Sequence, residues 1–264
     1  MIPEEEPPMS AKKSRSPRPK KKHIFRAIFL GLAAGLIAGW AILWLTLPDA
    51  SDLKTKNPET TVLIRNRQAA AGAKKDAATV RLRWIASSQI PPLMKKCVLV
   101  SEDAAFYDHK GVDFEELKNS LKQDFKEKRL VRGGSTITQQ LAKNLYLSTS
   151  RSFVRKIREF LIARRLEKTL SKERILNLYL NVIEWGPGVY GLPAAARRWF
   201  GKDVADLTLE EMVRLTAIIP RPLRSDPRKN DGWMRFKGRW IADTLRTVGA
   251  IGDDDHDALI QAFQ

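Results

Sequence analysis

The chain has 264 residues, 43% of them hydrophobic, enough to bury a sizeable core in one large domain or two small ones. Its formal net charge of +17 draws it to polyanions, whether nucleic acid, anionic lipid head groups or a phosphorylated substrate, and composition alone does not choose among them. One cysteine, Cys97, and three scattered histidines exclude a disulfide framework and a zinc site of ordinary ligand spacing.

Residues 1–26 are rich in Pro, Ser, Lys and Glu, so a disordered basic tail is expected. Residues 27–47 then run from Ala27 to Leu47 without a charge, and about 20 such residues cross a hydrocarbon core of roughly 30 Å. A cleavable signal peptide shares this layout, but the apolar run is too long for a signal core and no small-x-small site closes it. The run therefore reads as a retained transmembrane helix. Lys12, Lys13, Lys20, Lys21, Lys22 and Arg26 precede it while Asp49 and Asp52 follow, which predicts a cytoplasmic N terminus, a single pass through the inner membrane and a periplasmic remainder. Gly31, Gly35 and Gly39 fit a helix-packing face or simply the glycine content of membrane helices.

Residues 48–89 read as a linker with two extended lead-in segments, Thr60 to Arg65 and Thr79 to Ile85. From residue 90 to 264 the pattern turns helical and predicts a mostly α domain. Asp113 and Glu116 resemble a capping box before an amphipathic stripe of Phe114, Leu117, Leu121 and Phe125, read as core packing ahead of membrane contact. Ser135 or Thr136 predicts the start of a helix through Leu147, a second runs from Arg151 to about Leu170, and Ser171 opens a third. Thr208 and Glu211 form a further capping box ahead of a helix stopped by Pro220.

Two segments carry chemistry. Glu102 ends the apolar run Cys97-Val98-Leu99-Val100, a setting that tunes a carboxylate for general-base work. About thirty residues on, Gly133-Gly134 leads into a helix bearing Gln139, Gln140 and Lys143, where free N–H groups and the helix dipole favour an anion. Arg151, Arg155 and Glu159 then share one helix face by their four-residue spacing, with Lys156 beside them. Alone, such a charge stripe is a solvated face, and a lone Glu-Asp pair is a helix terminus. A departing diphosphate, by contrast, needs neutralising cations more than it needs an acid.

The ordered set Glu102-Asp103 with Phe106, His109 and Gly111, then Gly134 through Asn144, then Arg155-Lys156 with Glu159, then Lys172 through Asn181, then Gly188 through Lys202, resembles all five motifs of glycosyltransferase family 51, the peptidoglycan glycosyltransferases. The resemblance spans about residues 90–227, and the single membrane helix is similar to the monofunctional biosynthetic transglycosylases. It implies a mostly helical, lysozyme-like domain that polymerises lipid II into glycan strands by inverting transfer and releases undecaprenyl diphosphate. Glu102 then matches the general base and Glu159 a second essential carboxylate, while Ser135, Gln139, Gln140, Lys143, Arg151 and Lys156 match positions that hold the donor pyrophosphate, with Arg155 joining them by helix spacing. It implies no tightly bound cofactor, with a divalent cation (Mg or Mn) compatible, and as partners lipid II, the lipid-linked glycan strand, the membrane and cell-wall synthesis or division proteins rather than nucleic acid.

Trp185-Gly186-Pro187-Gly188 and Trp199 depart from the commoner fifth motif, which predicts altered packing rather than lost activity. Two Ser-x-x-Lys matches, at Ser10 and Ser51, lack the companions of a transpeptidase site and read as chance. A lysozyme-like lytic transglycosylase or hydrolase is the competing reading, since it too uses one glutamate in an α-rich fold. The cationic set and the anchor favour synthesis over it. A non-enzymatic basic tether would leave the Glu102 motif without a purpose.

Overall fold

A computed structural model describes residues 21–72, 80–114, 118, 134–148, 150 and 152–264. It divides into two units, Met1–Thr46 and Leu47–Gln264. In the first, helix α1 (Lys21–Leu45) contains an apolar span, Phe25–Leu45, long enough to cross a membrane. Its glycines Gly31, Gly35 and Gly39 face open space within the chain.

The second unit is helical, as expected, with ten α-helices among the described residues of the whole chain. Its first helix, α2 (Val62–Ala70), corrects the extended reading of Thr60 to Arg65. Thr61 caps it by accepting the Ile64 N–H at 3.2 Å, and Leu63 with the straight-chain and alanine residues that follow outweighs the strand preference of Val62 and Ile64. Residues 80–86 do lack a regular element, and they are pinned at Ile85, whose N–H donates to Asn181 Oδ1 at 2.8 Å. Ile85 C=O in turn accepts from both Asn177 and Asn181 amides.

Helix α3 (Pro92–Glu102) starts on a proline, whose missing N–H costs nothing in the first turn, and buries Met94, Cys97, Val98 and Val100. Next come α4 (Ile137–Tyr146), α5 (Phe153–Thr169) and α6 (Lys172–Val182), capped by Thr136, Ser152 and Ser171. The α4 cap is a capping box in which Gln139 answers Thr136. Helix α5 therefore begins two residues later than expected. Of the stripe after Asp113, only Phe114 is described, so Leu117, Leu121 and Phe125 lie outside the described residues.

The strands β1 (Glu184–Gly186) and β2 (Val189–Tyr190) form a small antiparallel hairpin. A Cβ at Gly186 would sit 2.5 Å from the Trp199 ring, and Trp199 Nε1 donates to Trp185 C=O at 2.8 Å. The large indole at 199 is thus accommodated by the glycine in the hairpin. Helices α7 (Leu192–Phe200), α8 (Leu209–Ile218), α9 (Gly232–Thr247) and α10 (Asp253–Ala262) complete the unit. The expected Thr208–Glu211 capping box starts α8. Helices α4, α5 and α6 pack on one another, while α3 packs against α8 and α9. One continuous apolar core links these groups, with Trp185, Tyr179 and Phe106 among its fully buried side chains.

Candidate active site

Glu102 lies at the last position of α3 and is half-buried, so the enclosure of Val98 and Val100 does not extend over it. Its carboxylate accepts from Ser101 Oγ at 3.0 Å and from Gln140 Nε2 at 3.0 Å. Gln140 is held from behind, because the buried Tyr179 hydroxyl donates to its Oε1 at 3.0 Å. Burial, then the nearby Glu102 and Asp103, keep that phenol protonated by raising its pKa well above the ordinary value. The amide is therefore fixed with its NH2 group toward Glu102. Tyr179 is a residue that motif reading placed on a helix without giving it a task.

Asp103 turns the other way. It is buried, and its carboxylate accepts the Ile137 N–H at 2.9 Å and faces His109 Nε2 at 2.8 and 3.0 Å. His109 Nδ1 accepts the Gly111 N–H at 3.1 Å, which assigns the ring proton to Nε2 and makes it the donor to Asp103. The expectation of free N–H groups at the start of α4 is corrected here. A carboxylate of the protein itself takes the Ile137 N–H, and Thr136 takes that of Gln139. Gln139 itself is buried, with Oε1 accepting the Thr136 N–H at 3.1 Å, so its side chain closes the helix cap.

The cations gather on the facing helix. Glu159 is buried, with Arg155 Nη1 2.8 Å from Oε2 and Lys156 Nζ bonded to Oε1. Lys156 also donates to Ser135 Oγ at 3.0 Å, which ties the start of α4 to α5. Lys143 adds a third positive group. Loss of surrounding water lowers its pKa first, even though the residue keeps an open face, and Arg155 and Lys156 lower it further against the opposing Glu159 and Glu102. Among the described residues, Arg155 Nε is buried with no partner. Three cations thus surround one buried carboxylate, and the surplus charge suits a polyanionic ligand.

The structure accordingly brings together Glu102, Gln140, Lys143, Ser135, Arg155, Lys156 and Glu159, while Gln139 serves the cap and Arg151 lies outside the described residues. Sequence reasoning also missed a buried connector. Glu167 accepts from Thr138 Oγ1 at 2.5 Å and from Lys172 Nζ at 2.8 Å, and the Lys172 ammonium stands 4.4 Å from the centre of the Phe106 ring. A Cβ on Gly111 would come within 3.0 Å of Glu167, so glycine lets this loop close on α5. Among the described residues no three His, Cys, Asp or Glu side chains are placed to hold a metal.

Comparison with known proteins places these residues in context. A family model described as Transglycosylase matches residues 69–246. A biosynthetic peptidoglycan transglycosylase of Nitrosospira multiformis is 42% identical over 192 residues, covering 73% of this chain and 84% of that protein. The protein of the same name from Nitrosomonas eutropha is 38% identical over 226 residues, covering 85% and 91%, and that from Thiobacillus denitrificans is 45% identical over 166 residues, covering 63% and 72%.

Proposed function

Since the chain belongs to the transglycosylase family, we propose that it is the enzyme that polymerises lipid II into linear glycan strands with release of undecaprenyl diphosphate. One observation carries the reading. A half-buried glutamate held by neutral donors, Glu102, shares a site with a surplus of cations, Lys143, Arg155 and Lys156. A carboxylate held, among the described residues, by neutral donors is suited to accept the proton of an attacking hydroxyl, and cations are suited to receive a departing diphosphate.

In the transfer step the acceptor 4-hydroxyl gives its proton to Glu102 as its oxygen bonds to the anomeric carbon of the donor. The bond from that carbon to the diphosphate breaks on the opposite face, which inverts the configuration. Lys143, Arg155 and Lys156 neutralise the leaving oxygens. Glu159 holds two of those cations in place and gives up no proton, because a diphosphate leaves as an anion. Gln140 orients Glu102, and Ser135 orients Lys156. A divalent ion would be held by the oxygens of the diphosphate and would supply further neutralising charge there.

The basic tail ahead of an uncharged span supports a cytoplasmic N terminus and a periplasmic catalytic unit. A reporter fused after Gln264 should be active only outside the inner membrane, and cytoplasmic activity would reverse this topology. The reaction itself is tested by incubating the purified full chain with labelled lipid II. Lysozyme-sensitive polymer is expected; consumption of finished peptidoglycan with no polymer formed would instead establish the lytic reading.

A further inference from the structure

Beside the residues it buries, α9 carries a second stripe at i, i+3, i+4 and i+7, namely Trp233, Phe236, Lys237 and Trp240. The Trp233 ring is fixed, since its Nε1 donates to Ala217 C=O at 2.9 Å. The Arg221 guanidinium lies 3.8 Å from that ring's centre and the Phe236 ring 6.1 Å from it, while the Lys237 ammonium stands 4.0 Å from the centre of Trp240. Phe236 is 63% exposed, Arg221 is exposed, and the two tryptophans are half-buried. The stripe borders the site: Lys237 Nζ is 3.5 Å from the carbonyl oxygen of Ser101, the neighbour of Glu102. Seven helical residues cover about 10 Å, the scale of a disaccharide rather than of one sugar.

These features define a ligand. The exposed ring of Phe236 is electron-rich and receives the polarised C–H bonds of a pyranose, while Arg221, stacked over Trp233 and exposed, selects for nearby carboxylates. A bilayer-inserting face would need contiguous exposed apolar area. Here the exposed large apolar side chains are Phe236 and, at 46%, Leu223, and they stand among the exposed cations Arg221, Arg224 and Arg235 rather than in a contiguous apolar area. We propose that this face of α9 binds the glycan strand itself, through its sugar rings and the carboxylates of its peptide stems, and holds the polymer against the enzyme between transfers. The inference rests on the polymerase reading above but concerns the polymer rather than the lipid-linked unit.

The test titrates the full chain, in uncharged detergent micelles, with soluble lipid-free uncrosslinked strands and reads tryptophan fluorescence. Phe236→Ser and Arg221→Ala should each weaken strand binding by about 3- to 10-fold, and Phe236→Trp should retain it. With lipid II, Phe236→Ser should shorten the product strands while the initial rate of consumption stays that of the native chain. Equal strand affinity in the native chain and Phe236→Ser would overturn the proposal, as would strands stripped of peptide binding as well as intact ones. If anionic phospholipid vesicles separate the native chain from Phe236→Ser and strands do not, the occupant is a membrane and the proposal fails. Absence of lipid II turnover would count against the polymerase reading instead, and the strand titration, which needs no turnover, would still decide this one.

Discussion

The end of α3 and the first turns of α5 each bring a glutamate to the site, and they hold it in opposite ways. Glu102 is half-buried and accepts from a serine hydroxyl and a glutamine amide, both neutral. Glu159 is buried and each of its oxygens meets a cation. The contrast teaches that the side chain alone does not fix the role. Neutral donors orient a carboxylate and leave its charge available to an incoming proton, whereas cationic donors turn a carboxylate into the keel of a positively charged surface.

The largest effect is expected where the charge is available. Glu102→Gln should lower turnover by about 10²–10⁴-fold, the usual loss on removing a general base, with the melting temperature unchanged. Near-normal turnover in this variant would erase the distinction between the two regions. Glu159→Gln should also damage turnover, by about 10²-fold, because Arg155 and Lys156 lose the group that positions them. Here the informative arm is a donor with a better leaving group. An acid's absence is compensated by such a donor, an organiser's is not, so rescue would give Glu159 a proton-transfer role and break the comparison.

A smaller effect sharpens the account of the α3 end. Asp103 accepts the Ile137 N–H at Oδ2 and meets the His109 N–H with both oxygens, so an asparagine keeping its oxygen on Ile137 turns an NH2 donor toward the His109 donor. Asp103→Asn should therefore cost about 1.5–3 kcal/mol of stability, read as a fall in melting temperature, with turnover reduced only as far as Glu102 is displaced. A stable Asp103→Asn chain lacking turnover would place Asp103 in the chemistry. The smallest effect concerns a third carboxylate, Glu184, buried and held by Arg67 through bonds of 3.0 and 2.9 Å far along the chain from either glutamate. Burial raises its pKa, with Arg67 opposing. Because the folded value lies above the unfolded one, the stability this group contributes is complete below about pH 4, the unfolded range, and is lost as pH rises through the folded value. The native chain should lose stability relative to Glu184→Gln over that window, and parallel melting curves across it would show that Arg67 cancels the burial.

Much of the architecture is legible locally, because caps are local. Ser171 and Thr208 cap their helices as read, and of the two candidates Ser135 and Thr136 the structure uses Thr136. Helix α2 was illegible for the opposite reason: Val62 and Ile64 carry a strand-like preference, and only the Thr61 cap and the helix formers around and after them correct that. The site divides in the same way. Arg155, Lys156 and Glu159 meet within one helix, so their spacing suffices to pair them. Asp103 meets Ile137 across 34 residues and Tyr179 meets Gln140 across 39, and no periodicity reports such contacts. The mistaken expectation of free N–H groups at the start of α4 follows from that gap, since the acceptor of the Ile137 N–H comes from another motif.

The anchoring of residues 47–90 bears on how the enzyme can be cut and rebuilt. Arg165 donates to the Leu47 carbonyl, Arg174 to the Leu53 and Lys56 carbonyls, and Asn177 and Asn181 to that of Ile85. A soluble version truncated at residue 90 would strip acceptors from two arginines and two asparagines at once, and would strand Glu184 without Arg67. The seam for transplanting this enzyme onto another tether, or for releasing it from one, lies instead between Thr46 and Leu47, where the compact unit begins.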